Sequence, residues 1–341
     1  LAARGGPLTV VPIRQSTRVG LYLLRQKLAR RDKFPLVLEL EPLFACNLAC
    51  AGCGKIQHPT EVLRQRVSVE DAVAAVEECG APIVSIAGGE PLLHPDIVEM
   101  VEALIRRRRF VYLCTNAVLL RRKLDKFRPS PYFAWTVHID GLRERHDESV
   151  CRDGVFDEAV AAIADAKARG FRVTTNTTFF STDSPSTVRE VLDFLNDEVG
   201  VDSMMISPGY AYEKAPDQLH FLGVKQTQKL FRDAFAGRRR HWRLNHTPLF
   251  LDFLEGKVDF PCTAWGIPSY SVFGWQRPCY LMGDSYASSY RELVETTDWE
   301  RYGRGRDPRC RNCMAHCGYE PSAVIATTTS LRQSVRAVLA R

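Results

Sequence analysis

The sequence predicts an α/β fold: a partial (β/α)6 barrel over residues 35–215, then a helical, cysteine-rich C-terminal extension over 216–329. Three observations carry that expectation. Strand-like apolar runs alternate with amphipathic helical runs between residues 36 and 207. Cysteines and polar residues gather where the strand-like runs end. A second cysteine group begins only at Cys262, after the alternation has faded.

Residues 1–16 carry no clear pattern, and 17–31 read as a short amphipathic helix. Val19, Leu23, Leu24 and Leu28 are expected on one face, with Arg18, Arg25, Lys27, Arg30 and Arg31 supplying charge. Such a helix can pack across one end of a barrel, and its basic character also suits an anionic membrane surface. Region 1–34 is therefore set apart from the barrel. Strand-like runs follow at 36–43, 83–87, 110–115, 132–139, 172–179 and 202–207, and helical runs at 69–79, 97–107, 156–169 and 188–198. The first of these helices opens on Ser68-x-x-Asp71, a capping-box-like start. The third puts Phe156, Val160 and Ile163 on one stripe and stops at Gly170. Six βα units imply a parallel sheet with right-handed crossovers, either curled into a partial barrel or open and doubly wound. Both architectures place the site at the carboxyl ends of the strands. Beyond residue 210 the chain reads as loop, then helices near 225–236 and 247–255, with a tail at 330–341.

Composition narrows the function. With 45% hydrophobic and 25% charged residues the chain has the balance of a soluble globular protein, not a disordered one. No stretch reaches the roughly 18 apolar residues that span a bilayer. A net charge of +6 is modest, and the arginine clusters at 106–109, 121–122 and 238–240 lack interleaved aromatics, so no nucleic-acid partner is expected. Eleven cysteines without a secretory pattern point to metal chemistry in a reducing cytoplasm rather than disulfides.

The first strand runs into Phe44-Ala-Cys46-Asn-Leu-Ala-Cys50-Ala-Gly-Cys53-Gly54. Thiolates are the usual protein ligands of iron–sulfur clusters, and a cubane normally takes four. Three local cysteines leave one iron open to a small molecule that chelates through an amine and a carboxylate. A zinc loop with His58 as fourth ligand competes, although zinc pairs usually read C-x2-C…C-x2-C. Later strands end in Gly88-Gly89-Glu90-Pro91, Cys114-Thr115-Asn116, His138-Ile139-Asp140-Gly141, Asn176-Thr177-Thr178 and Ser207-Pro208-Gly209. Asn116, His138, Asp140 and Asn176 either touch a ligand, cap the next helix or bond within a loop. Alternation along 110–116 puts Phe110, Tyr112, Cys114 and Asn116 on one face. If that face looks into the barrel, the Cys114 thiol stands at the site as a candidate catalytic residue; otherwise it fills packing. Cys79 and Cys151 read as ordinary. In the extension, Cys262 and Cys279 frame a glycine-containing hairpin at Gly274, and Cys310-x2-Cys313-x3-Cys317 comes later. Four cysteines are also a common zinc set, and five for four places leaves Cys310 or Cys317 over.

The first cysteine loop resembles the cluster loop of the radical S-adenosylmethionine (SAM) superfamily. That resemblance implies a [4Fe–4S] cluster on Cys46, Cys50 and Cys53, with SAM as the chelator. Gly88, Gly89 and Glu90 match the superfamily's second motif, implying contact with SAM's methionine moiety, where glycine allows close backbone approach. The second cysteine group resembles a twitch or truncated SPASM extension. It implies an auxiliary [4Fe–4S] cluster on Cys262, Cys279, Cys310 and Cys313, with a zinc staple as the competing reading. Closer still, Leu40-Glu-Pro-Leu-Phe-x-Cys-Asn-Leu, Cys53-Gly-Lys-Ile, Val84-Ser-Ile-Ala-Gly-Gly-Glu-Pro-Leu, Tyr112-Leu-Cys-Thr-Asn, Pro129-Ser-Pro-Tyr-Phe, Tyr210-Ala-Tyr-Glu-x-Ala-Pro-Asp-Gln, Phe273-Gly-Trp-Gln and Cys313-x-x-His-Cys-Gly-Tyr-Glu resemble the adenosyl-hopene transferases of bacterial hopanoid lipid biosynthesis. The likeness runs from about residue 18 to 325. It implies a C–C bond-forming transferase that adds the 5′-deoxyadenosyl radical of SAM to the terminal alkene of diploptene, giving adenosylhopane. Flavodoxin or ferredoxin would be the reductant, and the setting cytoplasmic or peripheral at the inner face of the plasma membrane. Rival expectations are a twitch-type enzyme acting on a peptide or sugar, and a two-cluster electron carrier. The carrier is disfavoured because ferredoxin-like runs end C-x3-C-P, whereas Gly318 follows Cys317.

Overall fold

Branched and aromatic residues build six short strands. They are β1 (Val37–Glu41), β2 (Ile83–Ile86), β3 (Phe110–Thr115), β4 (Phe133–His138), β5 (Arg172–Phe179) and β6 (Ser203–Pro208). Each pairs in parallel with the next. The computed structural model that shows this describes residues 11–211, 214–237 and 241–329. The expectations for residues 1–10, for Tyr212 and Glu213, for the arginines at 238–240 and for the tail at 330–341 lie outside the described residues.

Helices α1 (Ile13–Leu28), α2 (Val69–Cys79), α3 (Ile97–Arg106), α4 (Val155–Ala168) and α5 (Pro185–Asp193) accompany these strands. Ser68 caps α2 as expected, its hydroxyl accepting the Asp71 N–H at 3.0 Å, and Gly80 closes it at a φ of 73°. Alternation then divides the sheet. Leu38, Leu40, Val84, Ile86, Val111, Leu113, Trp135 and Val137 point outward into one core with the helices. The intervening residues point the other way. Val37, Glu39, Ile83, Ser85, Tyr112, Cys114, Thr136, His138, Asn176, Thr178 and Met205 all border a single cavity of about 1180 Å³. Since every strand from β1 to β6 reaches that cavity, the sheet is curled around it as a partial barrel.

The chain continues through α6 (Val224–Phe235) and α7 (Pro248–Leu254) to β7 (Ser269–Ser271), β8 (Gly274–Cys279) and β9 (Met282–Ala287), then α8 (His316–Thr329). Strand β7 lies parallel against the free edge of β1, and β8 and β9 follow antiparallel. The result is one nine-stranded sheet in the order β6-β5-β4-β3-β2-β1-β7-β8-β9. The expected hairpin at Gly274 is present, but its attachment to β1 is new. A three-residue strand carries too little periodicity to announce itself in sequence.

The first helix needs correcting in two respects. It spans Ile13–Leu28, not 17–31: it starts after Pro12 and gives way at Arg30, whose φ is 51°. Its apolar residues also do not share one face. Val19 and Leu23 face the cavity, whereas Leu24 and Leu28 lie on the exposed side with Ile13 and Leu21. At about 100° per residue, positions 19 and 28 fall on opposite sides of a helix.

The strand ends are locked by glycine. Gly89 N–H donates to the Leu43 carbonyl at 2.9 Å and Glu90 N–H to that of Ala45 at 2.8 Å. A Cβ on Gly89 would lie 2.0 Å from the Ala45 oxygen and 2.5 Å from that of Phe44. Gly89→Ala should therefore cost at least the roughly 1–3 kcal/mol of an overpacked core. A lowered melting temperature checks this; unchanged melting would show that the two loops separate freely.

Candidate active site

The cysteine loop begins where β1 ends, and all three of its thiols border the cavity. Leu48 N–H approaches Cys46 Sγ at 3.4 Å, and Lys55 N–H approaches Cys53 Sγ at 3.5 Å. Asn116 Nδ2 lies 3.8 Å from Cys46 Sγ. Burial pushes all three thiols up, Cys46 to about 11. Thiolates here thus call for a cationic group to offset their charge, while the N–H donors are already aimed at the sulfurs. Three thiols on one wall of a cavity fit the [4Fe–4S] cluster with one iron left for another ligand.

Glu90, expected at the cofactor, is 1% exposed. Its carboxylate accepts from Leu92 N–H at 2.9 Å, Thr115 Oγ1–H at 3.0 Å and Asn116 N–H at 2.8 Å. The Asn116 amide then donates to Asn47 Oδ1 at 2.8 Å. Glu90 thereby ties β2, β3 and the cysteine loop together. Burial raises it to about 7 against these hydrogen bonds.

Across the mouth, Asp140 Oδ2 pairs with His138 Nε2 at 2.9 Å and Oδ1 accepts Thr178 N–H at 2.7 Å. Burial alone would lower His138, but the charge and hydrogen bond of Asp140 outweigh it and hold the imidazole above its ordinary value. Asn176 Oδ1 is buried at the cavity with no hydrogen-bond partner among the described residues, an acceptor that a polar ligand would satisfy. The structure thus brings Gly88, Gly89, Asn116, His138, Asp140 and Asn176 to one rim, together with the cysteine loop. Cys114 stands deeper, its Sγ 3.7 Å from Ser85 Oγ.

Sequence reasoning assigned no role to Lys55 and Glu41. They form a buried ion pair at 2.7 Å, with Lys55 Nζ 4.1 Å from the centre of the Tyr280 ring. The pair joins the cysteine loop to the hairpin of the extension. Both residues flank the cysteine run and fall inside the Leu40-Glu-Pro and Cys53-Gly-Lys-Ile runs, which were the signals for them. His58, the alternative zinc ligand, stacks on Phe44 at 4.8 Å.

The second cysteine group converges. Cys262 lies within electrostatic reach of Cys313, Cys279 and Cys310, and Cys317 within reach of Cys279, Cys313 and Cys262. Burial pushes Cys279 up to about 12 and Cys313 to about 11. Cys317 borders the cavity; Cys310 is the less enclosed. All eleven cysteines are free thiols. Among the described residues, the one group of three ligand atoms drawn within 4.8 Å is Asp193, Asp197 and His241 on the surface.

With this geometry in view, residues 40–195 match the family model of the Radical SAM superfamily, and residues 204–337 match a domain of unknown function, DUF3463. The chain therefore carries a radical SAM domain over residues 40–195, followed by a C-terminal extension. The cofactors of that family are a [4Fe–4S] cluster and SAM, and the cysteine loop and polar rim fit both. Among individual proteins, GTP 3′,8-cyclase 1 of Mycobacterium tuberculosis is 31% identical over 144 residues, which is 39% of this chain and 40% of that protein. Mycofactocin maturase MftC of the same species is 30% identical over 142 residues, 40% of this chain and 36% of that protein. The chain thus aligns with only about two fifths of the length of these relatives. Streptococcus suis SuiB bound to S-adenosylmethionine shares the fold at a TM-score of 0.67 and 17% identity, covering 93% of this chain and 79% of that one.

Single Cys46→Ala, Cys50→Ala and Cys53→Ala variants should each lose reductive SAM cleavage while keeping the far-UV circular dichroism of the parent. Undiminished 5′-deoxyadenosine release from any one defeats the ligand assignment. Iron analysis of anaerobically reconstituted protein should give about eight irons per chain for two cubane clusters. About four irons with one zinc would make the second site a staple.

Proposed function

We propose that the protein is a radical SAM enzyme that joins the 5′-deoxyadenosyl group of SAM to the terminal alkene of diploptene or a related hopene, forming adenosylhopane. The observation that carries this reading is the cavity. Cysteines and polar side chains line one end; Val19, Leu23, Leu36, Val37, Ile83 and the Tyr112 ring, with Gln15 and Ser16, line the other. A polar nucleoside and a long, rigid hydrocarbon would each find a matching half within one chamber.

Cys46, Cys50 and Cys53 would hold the cluster, which when bound would supply the electron for reductive cleavage of SAM, with flavodoxin or ferredoxin as the reductant. The chain's own residues position and protect. Asn116, the His138–Asp140 pair and Asn176 offer polar groups at the rim where SAM would lie. The apolar walls below exclude water from a radical centre. Cys114 sits between the two halves, and burial, then the nearby Glu39, pushes its thiol up to about 12, so it remains S–H at neutral pH. An S–H bond is weaker than a tertiary C–H bond. Hydrogen-atom transfer from Cys114 would break S–H, form C–H and leave a thiyl radical. One further electron from the same reductant and one proton restore the thiol. Delivery from one fixed side chain would set the new stereocentre.

A peptide substrate is the second reading. It is favoured by the likeness to mycofactocin maturase and by the shared fold of SuiB bound to precursor peptide SuiA, at a TM-score of 0.65 and 16% identity. Anaerobic incubation with reductant, SAM and diploptene separates the two. The hopene reading expects an adduct with the mass of adenosylhopane; 5′-deoxyadenosine released without any adduct counts against it. Cys114→Ala should retain SAM cleavage and addition, but quench slowly or give two epimers. A single epimer formed at the parent rate would remove Cys114 from the mechanism.

A further inference from the structure

Helix α1 has two different working faces. Its inner row closes the apolar end of the cavity: Val19 and Leu23 line it, and Gln15 is fixed there by a hydrogen bond from the Tyr112 hydroxyl at 2.9 Å. Two outer pins hold the helix on the amino-terminal ends of the strands. Arg18 Nη1 reaches the Tyr132 hydroxyl at 3.5 Å, and the Tyr22 hydroxyl donates to the Pro35 carbonyl at 2.7 Å. The opposite row is apolar and open to solvent. Ile13 is 70% exposed, Leu21 55%, Leu24 51% and Leu28 76%. These are four of the seven large hydrophobics exposed among the described residues, so the patch is a concentration and not a scatter.

Charge shows what would cover this row. At about 100° per residue the four apolar side chains, with Thr17 among them, fall within an arc of roughly 80°, with Arg14, Arg25 and Arg18 beyond one border and Lys27 beyond the other. The helix contains no acidic residue, and Arg30, Arg31 and Lys33 come after it. An apolar strip between basic borders is the arrangement that lies in a bilayer interface, leucines among the acyl chains and cations at anionic headgroups. A protein partner would have to bring both a groove and a ring of acids. The bilayer brings both without further specification. No helix of the described residues is long and apolar enough to cross a membrane, so the contact would be peripheral.

We infer that α1 docks this chain on an anionic lipid surface and forms the door by which an apolar substrate passes from the bilayer into the lower end of the cavity. The docking face stands on the geometry of α1; the door rests on the hopene reading proposed above. One helix serves both because its outer row faces the lipid while its inner row is already cavity wall.

The test uses the whole chain with three leucines reversed, Leu21→Glu, Leu24→Glu and Leu28→Glu together. All three are exposed and none lines the cavity, so SAM cleavage should be unchanged and serves as the folding control. Sedimentation with phosphatidylglycerol-containing vesicles at low salt should capture the parent, with weaker capture by pure phosphatidylcholine. The variant should bind about tenfold less or weaker still. Equal vesicle binding by parent and variant, or none by the parent, overturns the docking face. So does loss of binding on removing residues 1–10 alone, or a dimer of the parent that the three glutamates dissociate. The door is read separately. With diploptene in vesicles the variant should form adduct more slowly than the parent, and from detergent micelles at the same rate; equal rates from vesicles overturn the door. If the parent binds vesicles yet makes no adduct from either source, the hopene reading and the door fall while the docking face stands.

Discussion

The site depends on how closely two loops approach. The β2 end runs so near the cysteine loop that Gly88 and Gly89 have no room for a Cβ: one on Gly88 would lie 2.3 Å from the Leu43 oxygen. That approach lets backbone N–H groups of residues 89 and 90 bond the loop's carbonyls and sets Glu90 between β2 and β3. Glu90 then orders Thr115 and Asn116, and Asn116 returns to Asn47 beside Cys46. Three strand ends are thus closed into a ring by hydrogen bonds, and the thiols inherit its rigidity. Glycine here serves loop packing at least as much as access to a ligand.

Buried charge is concentrated at the junction of the two cysteine sites. Lys55 and Glu41 are both almost fully enclosed, and such pairs seldom stabilise a fold in themselves. Their placement explains their presence better. Glu41 ends β1, Lys55 leaves the cysteine loop, and the ammonium rests on Tyr280 in the turn between β8 and β9. Losing Lys55 would remove the cationic partner of the buried Glu41 carboxylate where the extension meets the barrel. The extension is correspondingly not an appended module: β7 continues the sheet from the edge of β1, and Ile267, His316 and Cys317 border the same cavity as the first cysteines.

The cavity grades from polar to apolar along the strand axes. His138, Asn176 and Thr178 stand near the upper ends, Cys114 and Thr136 one step below, Glu39, Ser85 and Tyr112 share the middle register, and Val37 and Ile83 lie near the starts. Burial pushes the Glu39 carboxyl up to about 8, with the charge of Glu41 adding to it, so the middle layer tends to neutrality at physiological pH. A neutral middle with an apolar floor suits a substrate with few polar groups.

Much of this was legible in residue order. The six strands, the capped start of α2 and the cavity-facing alternation of Tyr112 and Cys114 follow from local periodicity, because each depends on neighbours two to four residues away. The convergence of the first cysteines was equally plain, since one loop holds them all. The features that needed the tertiary structure depend on distant contacts. Splitting α1 into a cavity row and an exposed row requires knowing where the barrel floor lies. The inward turn of the Glu90 carboxylate depends on β3, and the Lys55–Glu41–Tyr280 contact on a hairpin far along the chain. The joining of β7 to β1 depends on a sheet edge that no local pattern marks. Sequence alone marked the candidate residues of the site. Only packing decided which way they point, because direction is set by partners the chain meets after it has folded back on itself.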